Sequence, residues 1–324
     1  MTSTAGGPMT GKSVLITGAS GGIGKATALR LAEMGAAVSI IGRDTGRTTT
    51  AAREIRGAGG TDVHSFVADL SSQSEVRRVA ADVLAALPRL DVLVNNVGGY
   101  WNTRHTTIDG LERTFAVNQL APFLLTHLLI ERLTATAPAR VVTVASNAQA
   151  LGRIDFDDLQ GEHRYSGARA YNQSKLANVL FTYELARRTA GTGVTANALH
   201  PGVVSTGFGA SDPGRSQRLL VPFARPLMQR PDQGARTSVT LAADPSVERT
   251  TGVFFARGKP RKSSPRSHDR AVARRLWQRC EELVRLPPAA LQSGSEVTAA
   301  ALGSVVDEDR DLHAVADPEL RQDP

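Results

Sequence analysis

Sulfur chemistry is almost missing from this chain. Of 324 residues one is cysteine, Cys280, so no internal disulfide can form. Histidine is sparse, and its seven copies show none of the paired spacings used by metal sites, which leads us to expect no resident metal. No apolar run approaches the roughly 20 residues needed to cross a bilayer. The first dozen residues are rich in Thr, Ser and Gly and lack the apolar core of a secretion signal. These absences predict a cytoplasmic protein with no membrane span. Hydrophobic residues still make up 41% of the chain, ample for a core, and the length suits one large domain or two small ones.

Charge is unevenly spread. The formal net charge is +7, and between Arg257 and Arg285 ten Lys or Arg face three acidic residues. Pro287 to Pro324 reverses the sign, with eight acidic residues against two Arg. The basic stretch carries no aromatic interleaving and no known nucleic-acid module, so it reads as a solvated helix face and no nucleic-acid partner is expected. Pro287-Pro288 ends the last predicted helix. The acidic remainder reads as a flexible tail, with a short helix at the apolar run Val297 to Val306 as the alternative.

What the chain does have is a glycine turn in an informative place. Thr17-Gly18-Ala19-Ser20-Gly21-Gly22-Ile23-Gly24 lies between a strand-like Ser13 to Ile16 and a helix-like Lys25 to Met34. A strand, glycine turn and helix in that order aim backbone N–H groups and a helix N-terminus at one spot, where a pyrophosphate can sit. Glycine also serves ordinary turns, so this pattern by itself is weak. Apolar stretches at Val14 to Ile16, Val38 to Ile41, Val63 to Val67, Val92 to Val94, Val141 to Val144 and Val194 to Leu199 alternate with helical patterns, and Val253 to Phe255 adds a seventh. Such alternation predicts an α/β fold: a Rossmann-type doubly wound parallel sheet of about seven strands, as a single domain with a C-terminal extension. The expected boundaries are a flexible 1–11, a domain over 12–286 and a tail over 287–324. Ligands of such sheets gather outside the carboxyl ends of the strands. There stand Arg43, Asp69, Asn95 with Asn96, and Ser146, each of which alone also reads as a turn or cap residue.

Ala168 to Arg188 reads as a helix with Leu176, Val179, Leu180 and Tyr183 on one side and Tyr171, Ser174, Lys175 and Asn178 on another. Tyr171 and Lys175, four apart, share a face. A phenol ordinarily holds its proton with a pKa of about 10, and a neighbouring ammonium favours the phenolate. Tyr171 is therefore the candidate acid or base, with Lys175 lowering its pKa. Asn118 lies in a helical run, and Pro122 four residues later has no N–H to bond the Asn118 carbonyl, which is left for another partner. A simple kink is the plainer reading.

Taken together, T-G-A-S-G-G-I-G at Thr17 to Gly24, N-N-V-G at Asn95 to Gly98, Asn118, Ser146, Y-N-Q-S-K at Tyr171 to Lys175 and H-P-G-V-V-S-T at His200 to Thr206 resemble the short-chain dehydrogenase/reductase family. L-G-R-I-D-F-D-D-L at Leu151 to Leu159 and S-K-L-A-N at Ser174 to Asn178 look more narrowly like its retinol dehydrogenase and WW-domain oxidoreductase branch. The resemblance implies an oxidoreductase that interconverts a carbonyl and an alcohol. Its catalytic residues would be Asn118, Ser146, Tyr171 and Lys175, with Ser146 polarising the substrate oxygen and the Asn118 carbonyl holding a water that relays protons from Lys175. Dinucleotide contacts would come from Gly18, Ser20, Gly22, Ile23, Gly24, Arg43, Asp69, Leu70, Asn95, Lys175, Pro201, Gly202 and Thr206.

Members that prefer NAD carry an acidic residue at the end of the second strand. Here Gly42 and Arg43 stand there, and a guanidinium neutralises a 2′-phosphate, so NADP(H) is favoured over NAD(H). Asp44 complicates this by offering Arg43 a salt-bridge partner. The segment 207–230 would cover the substrate, a small-molecule carbonyl or alcohol. Phe208, Leu219, Leu220, Val221, Phe223, Leu227 and Met228 there read equally as a pocket lining or a packed helix, and Tyr100 and Trp101 offer a further wall. A lipophilic carbonyl follows: a retinoid, a secondary-metabolite ketone or a xenobiotic, with the membrane anchor common in that branch missing. Family members assemble as homo-dimers or homo-tetramers through the helices carrying Asn118 and Tyr171. The alternative from another class is a dinucleotide-sensing scaffold without turnover, which has no need of the complete catalytic set.

Overall fold

Short, Val- and Ile-rich strands buried on both faces can only sit in the middle of a layered structure, because both sides of the sheet must be covered. In the computed structural model, which describes residues 7–60, 62–202, 204, 212 and 229–286, the strands β1 (Ser13–Thr17), β2 (Ala37–Gly42), β4 (Val92–Asn95) and β5 (Ala139–Val144) follow this rule closely. With β3 (Val63–Val67), β6 (Val194–His200) and β7 (Phe254–Ala256) they form a parallel sheet in the order β3-β2-β1-β4-β5-β6-β7. The register runs Ser13 to Ala37 through Thr17 to Ile41 on one side of β1, and Val14 to Val92 through Ile16 to Val94 on the other. The order reverses at β1, so the connections after β1 and β4 diverge and leave a crevice at their carboxyl ends.

One strand escapes the sequence pattern. β8 (Lys259–Arg261) is polar, exposed and antiparallel to β7. Arg257 and Gly258 join the pair, both with left-handed backbone (φ 55° and 71°), as a two-residue hairpin of this hand requires. Pro260 is tolerated because β8 is the sheet edge.

Helices α1 (Gly22–Glu33), α2 (Thr45–Gly57), α3 (Gln73–Ala86), α4 (Arg113–Phe115), α5 (Ala121–Thr136), α6 (Gly167–Arg188), α7 (Pro231–Ala243) and α8 (Arg270–Leu283) cover the sheet, and a π-helical turn at Ala116–Leu120 joins α4 to α5. The ordered body begins before Lys12, contrary to the flexible 1–11 expected. Met9 is buried in the core cluster, and its N–H donates to the Met34 carbonyl (2.9 Å). The acidic tail and the apolar residues between Phe208 and Met228 lie outside the described residues. Among the described residues no helix is long and apolar enough to cross a membrane.

Helix α8 packs across α5 and α6. Its Trp277 ring lies 5.0 Å from Phe123, 4.9 Å from His127 and 5.8 Å from Phe181 between ring centres, and the Arg188 guanidinium stands 4.3 Å above it. The indole N–H donates to Glu281 (2.8 Å), so the one polar atom of this buried ring is satisfied. His127, deeply buried here, has its pKa pushed down to about 4, chiefly by desolvation, and stays neutral. Replacing Trp277 by Ala should cost about 3–5 kcal/mol in urea unfolding. A loss below about 1 kcal/mol would mean that α8 is not held by this ring.

Candidate active site

The glycine turn is shaped by contacts that exclude side chains. Gly18 has φ 66°, and a Cβ on Gly24 would stand 2.6 Å from the Gly18 carbonyl and 2.5 Å from the Asn96 amide nitrogen. Asn96 binds the turn from β4: its Nδ2 donates to the Thr17 carbonyl (2.8 Å), and its N–H to Thr17 Oγ1 (3.0 Å). Above the turn lies a cleft of about 270 Å³ lined by Gly18, Ser20, Arg43, Asp69, Leu70 and Gly98, among others. Gly22, Ile23 and Gly24 open α1 beneath it. Asn95 is buried and donates to Thr126 Oγ1 (2.9 Å), tying β4 to α5.

The Asp44 carboxylate caps α2 by accepting the Arg47 N–H (2.7 Å). Arg47, which the sequence reading passed over, lines the same cleft, and its guanidinium nitrogen lies 2.9 Å from where a Cβ on Gly21 would be. Its signal was its place one turn into the helix that follows Arg43. Two guanidinium groups and a glycine-floored helix start suit a phosphate-bearing dinucleotide.

Tyr171, Ser146 and Lys175 meet beyond the other end of the cleft. Ser146 does cap a short 3-10 turn, accepting the Ala148 N–H (3.2 Å), and it also hydrogen-bonds the Tyr171 hydroxyl. The Tyr100 ring meets Tyr171 edge-on at 5.7 Å. The expected lowering of the Tyr171 pKa by Lys175 is reversed here: burial pushes the phenol up, and the Ser146 hydrogen bond pulls it back. Lys175 Nζ sits 5.7 Å from the ring centre and donates to the Val144 carbonyl (3.0 Å) and Asn178 Oδ1 (3.2 Å). Desolvation pushes the Lys175 pKa down to about 8. The phenol of the free protein is therefore a protonated donor at neutral pH.

Asn118 is buried. Its side chain binds Gly99 on both sides, accepting the N–H (2.7 Å) and donating to the carbonyl (3.0 Å), and donates also to Ser174 Oγ (2.9 Å). Pro122, four residues on, offers its main-chain carbonyl no N–H. That carbonyl accepts the Asn178 side-chain amide at 2.6 Å. Asn178 was visible on the Tyr171 face of the helix, but nothing in the spacing gave it a task.

Pro201 and Gly202, after β6, line a separate cavity of about 1050 Å³ with Asn147 and His200. The Asn147 N–H donates to His200 Nδ1 (3.3 Å), linking this rim to the Ser146 turn. Thr206 lies outside the described residues. Of the covering segment, Asp212 is described: it accepts the Thr103 N–H (2.8 Å) and hydroxyl (2.7 Å).

The sequence profile of the family described as short chain dehydrogenase matches residues 12–214. Retinol dehydrogenase 14 of Mus musculus is 43% identical over 298 residues, 86% of this chain and 87% of the relative. Retinol dehydrogenase 12 of Mus musculus is 45% identical over 278 residues, 85% and 86% of the two chains. Among solved structures, an uncharacterized protein from Mycobacterium paratuberculosis aligns with a TM-score of 0.71 at 36% identity, covering 87% of this chain and 97% of that one. An active-site complex of Pseudomonas aeruginosa RhlG with NADP aligns at 0.62 and 26% identity, covering 78% and 97%.

The depressed Lys175 pKa has a consequence for stability. Between about pH 8 and the ordinary lysine value of 10.5 the unfolded chain binds more protons at this residue than the folded one, so its burial penalty is relieved as pH rises. Urea unfolding should show wild type gaining on Lys175→Met across that window, with a slope approaching roughly 1.4 kcal/mol per pH unit. Parallel curves for the two proteins would contradict a buried ammonium.

Proposed function

The chain belongs to the short-chain dehydrogenase family, in its retinol dehydrogenase branch, and from that premise we propose an NADP(H)-dependent enzyme that interconverts a lipophilic ketone or aldehyde and its alcohol with Tyr171 as acid and base. The observation that carries the reading is the meeting of three groups: a buried, protonated Tyr171, a Ser146 hydroxyl on its hydrogen bond, and Lys175 one helical turn away.

When bound, the reduced dinucleotide supplies a hydride to the carbonyl carbon. The chain does the rest. Ser146 and Tyr171 both hydrogen-bond the substrate oxygen, and the Tyr171 O–H bond breaks as its proton goes to that oxygen. Charge left on the phenolate is stabilised by the Lys175 ammonium, which also binds the ribose hydroxyls and orients the nicotinamide. Asn118 holds this arrangement through Gly99 and Ser174 and so is a positioning residue. Gly18, Ser20, Gly22, Ile23 and Gly24 cradle the pyrophosphate, and Asp69 and Leu70 meet the adenine. Pro201, Gly202 and Thr206 serve the nicotinamide end. The NADP(H) preference rests on Arg43, on Arg47 beside it, and on the engagement of Asp44 as a helix cap.

Tyr100 and Trp101, walls of the cleft beside Tyr171, support an apolar substrate, in keeping with relatives named retinol dehydrogenases. A retinoid, a secondary-metabolite ketone and a xenobiotic carbonyl all meet that description. Trp277 of α8 already fills the face between α5 and α6, which favours assembly of any homo-dimer or homo-tetramer through other surfaces.

The test is NADPH oxidation against aliphatic, aromatic, isoprenoid and polycyclic carbonyls. Tyr171→Phe should lower kcat by about 10²–10⁴-fold and keep NADPH binding. Wild-type turnover in that variant would remove Tyr171 from the reaction, and tight NADPH binding with no reactive carbonyl would favour a sensor. Separately, Arg43→Ala and Arg47→Ala should each raise KM for NADPH about tenfold and leave KM for NADH within about twofold. Equal effects on both cofactors would refute the phosphate assignment.

A further inference from the structure

The cavity beyond β6 is walled by cations. Arg236 of α7, Arg257 of the β7–β8 turn, Arg261 of β8 and Lys262 after it all line it, and no Asp or Glu joins them among the described residues. Arg230, at the start of α7, has a carboxylate at hand, with Asp232 3.7 Å away. None of the four cavity cations has such a partner among the described residues. Like charges gathered without acids repel one another, and a bound anion relieves them.

The cations are held by a fixed frame. Arg257 has φ 55°, a left-handed conformation that Asn or Gly adopts in a two-residue hairpin with little strain. An arginine is strained there, as residues of ligand clamps are. The Gly258 N–H donates to Thr237 Oγ1 (3.1 Å), and that threonine, 3% exposed, is next in sequence to Arg236, so turn and helix are pinned together at the cavity wall. His200 adds a neutral donor. Its Nδ1 accepts the Asn147 N–H (3.3 Å), which leaves the ring proton on Nε2, and burial together with the Arg257 charge holds its pKa below the ordinary value.

This cavity also borders the reaction. Asn147 follows Ser146, and the β5–β6 pairing, which ends with Val144 opposite Leu199, brings His200 beside the Ser146 turn. Pro201 and Gly202, given above to the nicotinamide end, line the same wall. We infer that the cavity binds the anionic end of the carbonyl substrate, a carboxylate or phosphate carried on the same molecule as the oxygen held by Ser146 and Tyr171. Guanidinium groups suit such oxygens because they donate two parallel N–H bonds. The substrate class is then an oxo acid or a phosphorylated carbonyl, whose apolar part meets Tyr100 and Trp101.

The inference rests on the proposed reaction, and the experiment separates the two. ω-Oxo carboxylates of graded chain length and their methyl esters are compared as substrates with NADPH, at low and high NaCl, for wild type, Arg257→Gly and Arg261→Gln. Glycine fits the left-handed turn, so Arg257→Gly removes the guanidinium while easing the backbone. In wild type the best acid should have a KM about tenfold below that of its ester, and the advantage should shrink as salt rises. Each variant should raise the KM of that acid about fivefold and move that of the ester by less than about twofold. Equal KM values for acid and ester in wild type would overturn the inference. So would a rise in KM for NADPH as large as that of Arg43→Ala, which would give these cations to the dinucleotide. Inorganic phosphate should raise the KM of the acid and spare that of the ester; phosphate that changes kcat for both alike marks a separate effector and overturns the inference. Arg257-dependent sedimentation with phosphatidylserine vesicles, in a protein without acid preference, overturns it in favour of a lipid surface. Turnover of both substrates at equal KM sinks the inference alone, whereas turnover of neither with NADPH bound sinks the reading of the site as well.

Discussion

An ammonium group buried with no counter-ion among the described residues is the constraint around which this site is built. Taking Lys175 out of water costs several kcal/mol, and the fold offsets that cost with dipoles rather than charge. The two oxygens that meet it come from the end of β5 and from α6 itself. A carboxylate in place of either would have offset more of the cost and drawn the ammonium away from the cleft. Neutral acceptors leave its charge uncancelled, as the proposed reaction requires.

The same economy runs through the nucleotide half. Asp44 is the nearest acid to Arg43 along the chain, and it is spent on a helix cap. Asn96 rather than a charged residue braces the glycine turn. Polar groups near the cleft thus satisfy the backbone and one another, while the cations at its rim keep their charge for a ligand.

Much of this was legible before any coordinates. Buried parallel strands announce themselves as short Val and Ile runs, and the residues that end them fall at one side of the sheet for topological reasons, so Arg43, Asp69, Asn95, Asn96 and Ser146 could be picked out together. Lys175 and Tyr171 share a face by helical spacing alone. What could not be read were contacts that depend on how one helix faces another. Asn178 bonds a carbonyl sixty residues away, in a π-helical turn that has no reliable sequence signature. The direction of the Tyr171 shift depends on burial, which spacing does not report. β8 was missed because an exposed edge strand with a proline carries none of the apolar periodicity that marks its neighbours.

The lone thiol closes the picture. Cys280 is fully enclosed between α8 and Gln119, and its pKa is pushed up to about 12 by burial, so almost none of it is thiolate in neutral solution. Maleimides find no accessible thiol in the folded chain. A cysteine introduced at an open position such as Ile108, 89% exposed, would be modified selectively, and spectroscopic probes could be attached to this fold without first removing a native sulfhydryl.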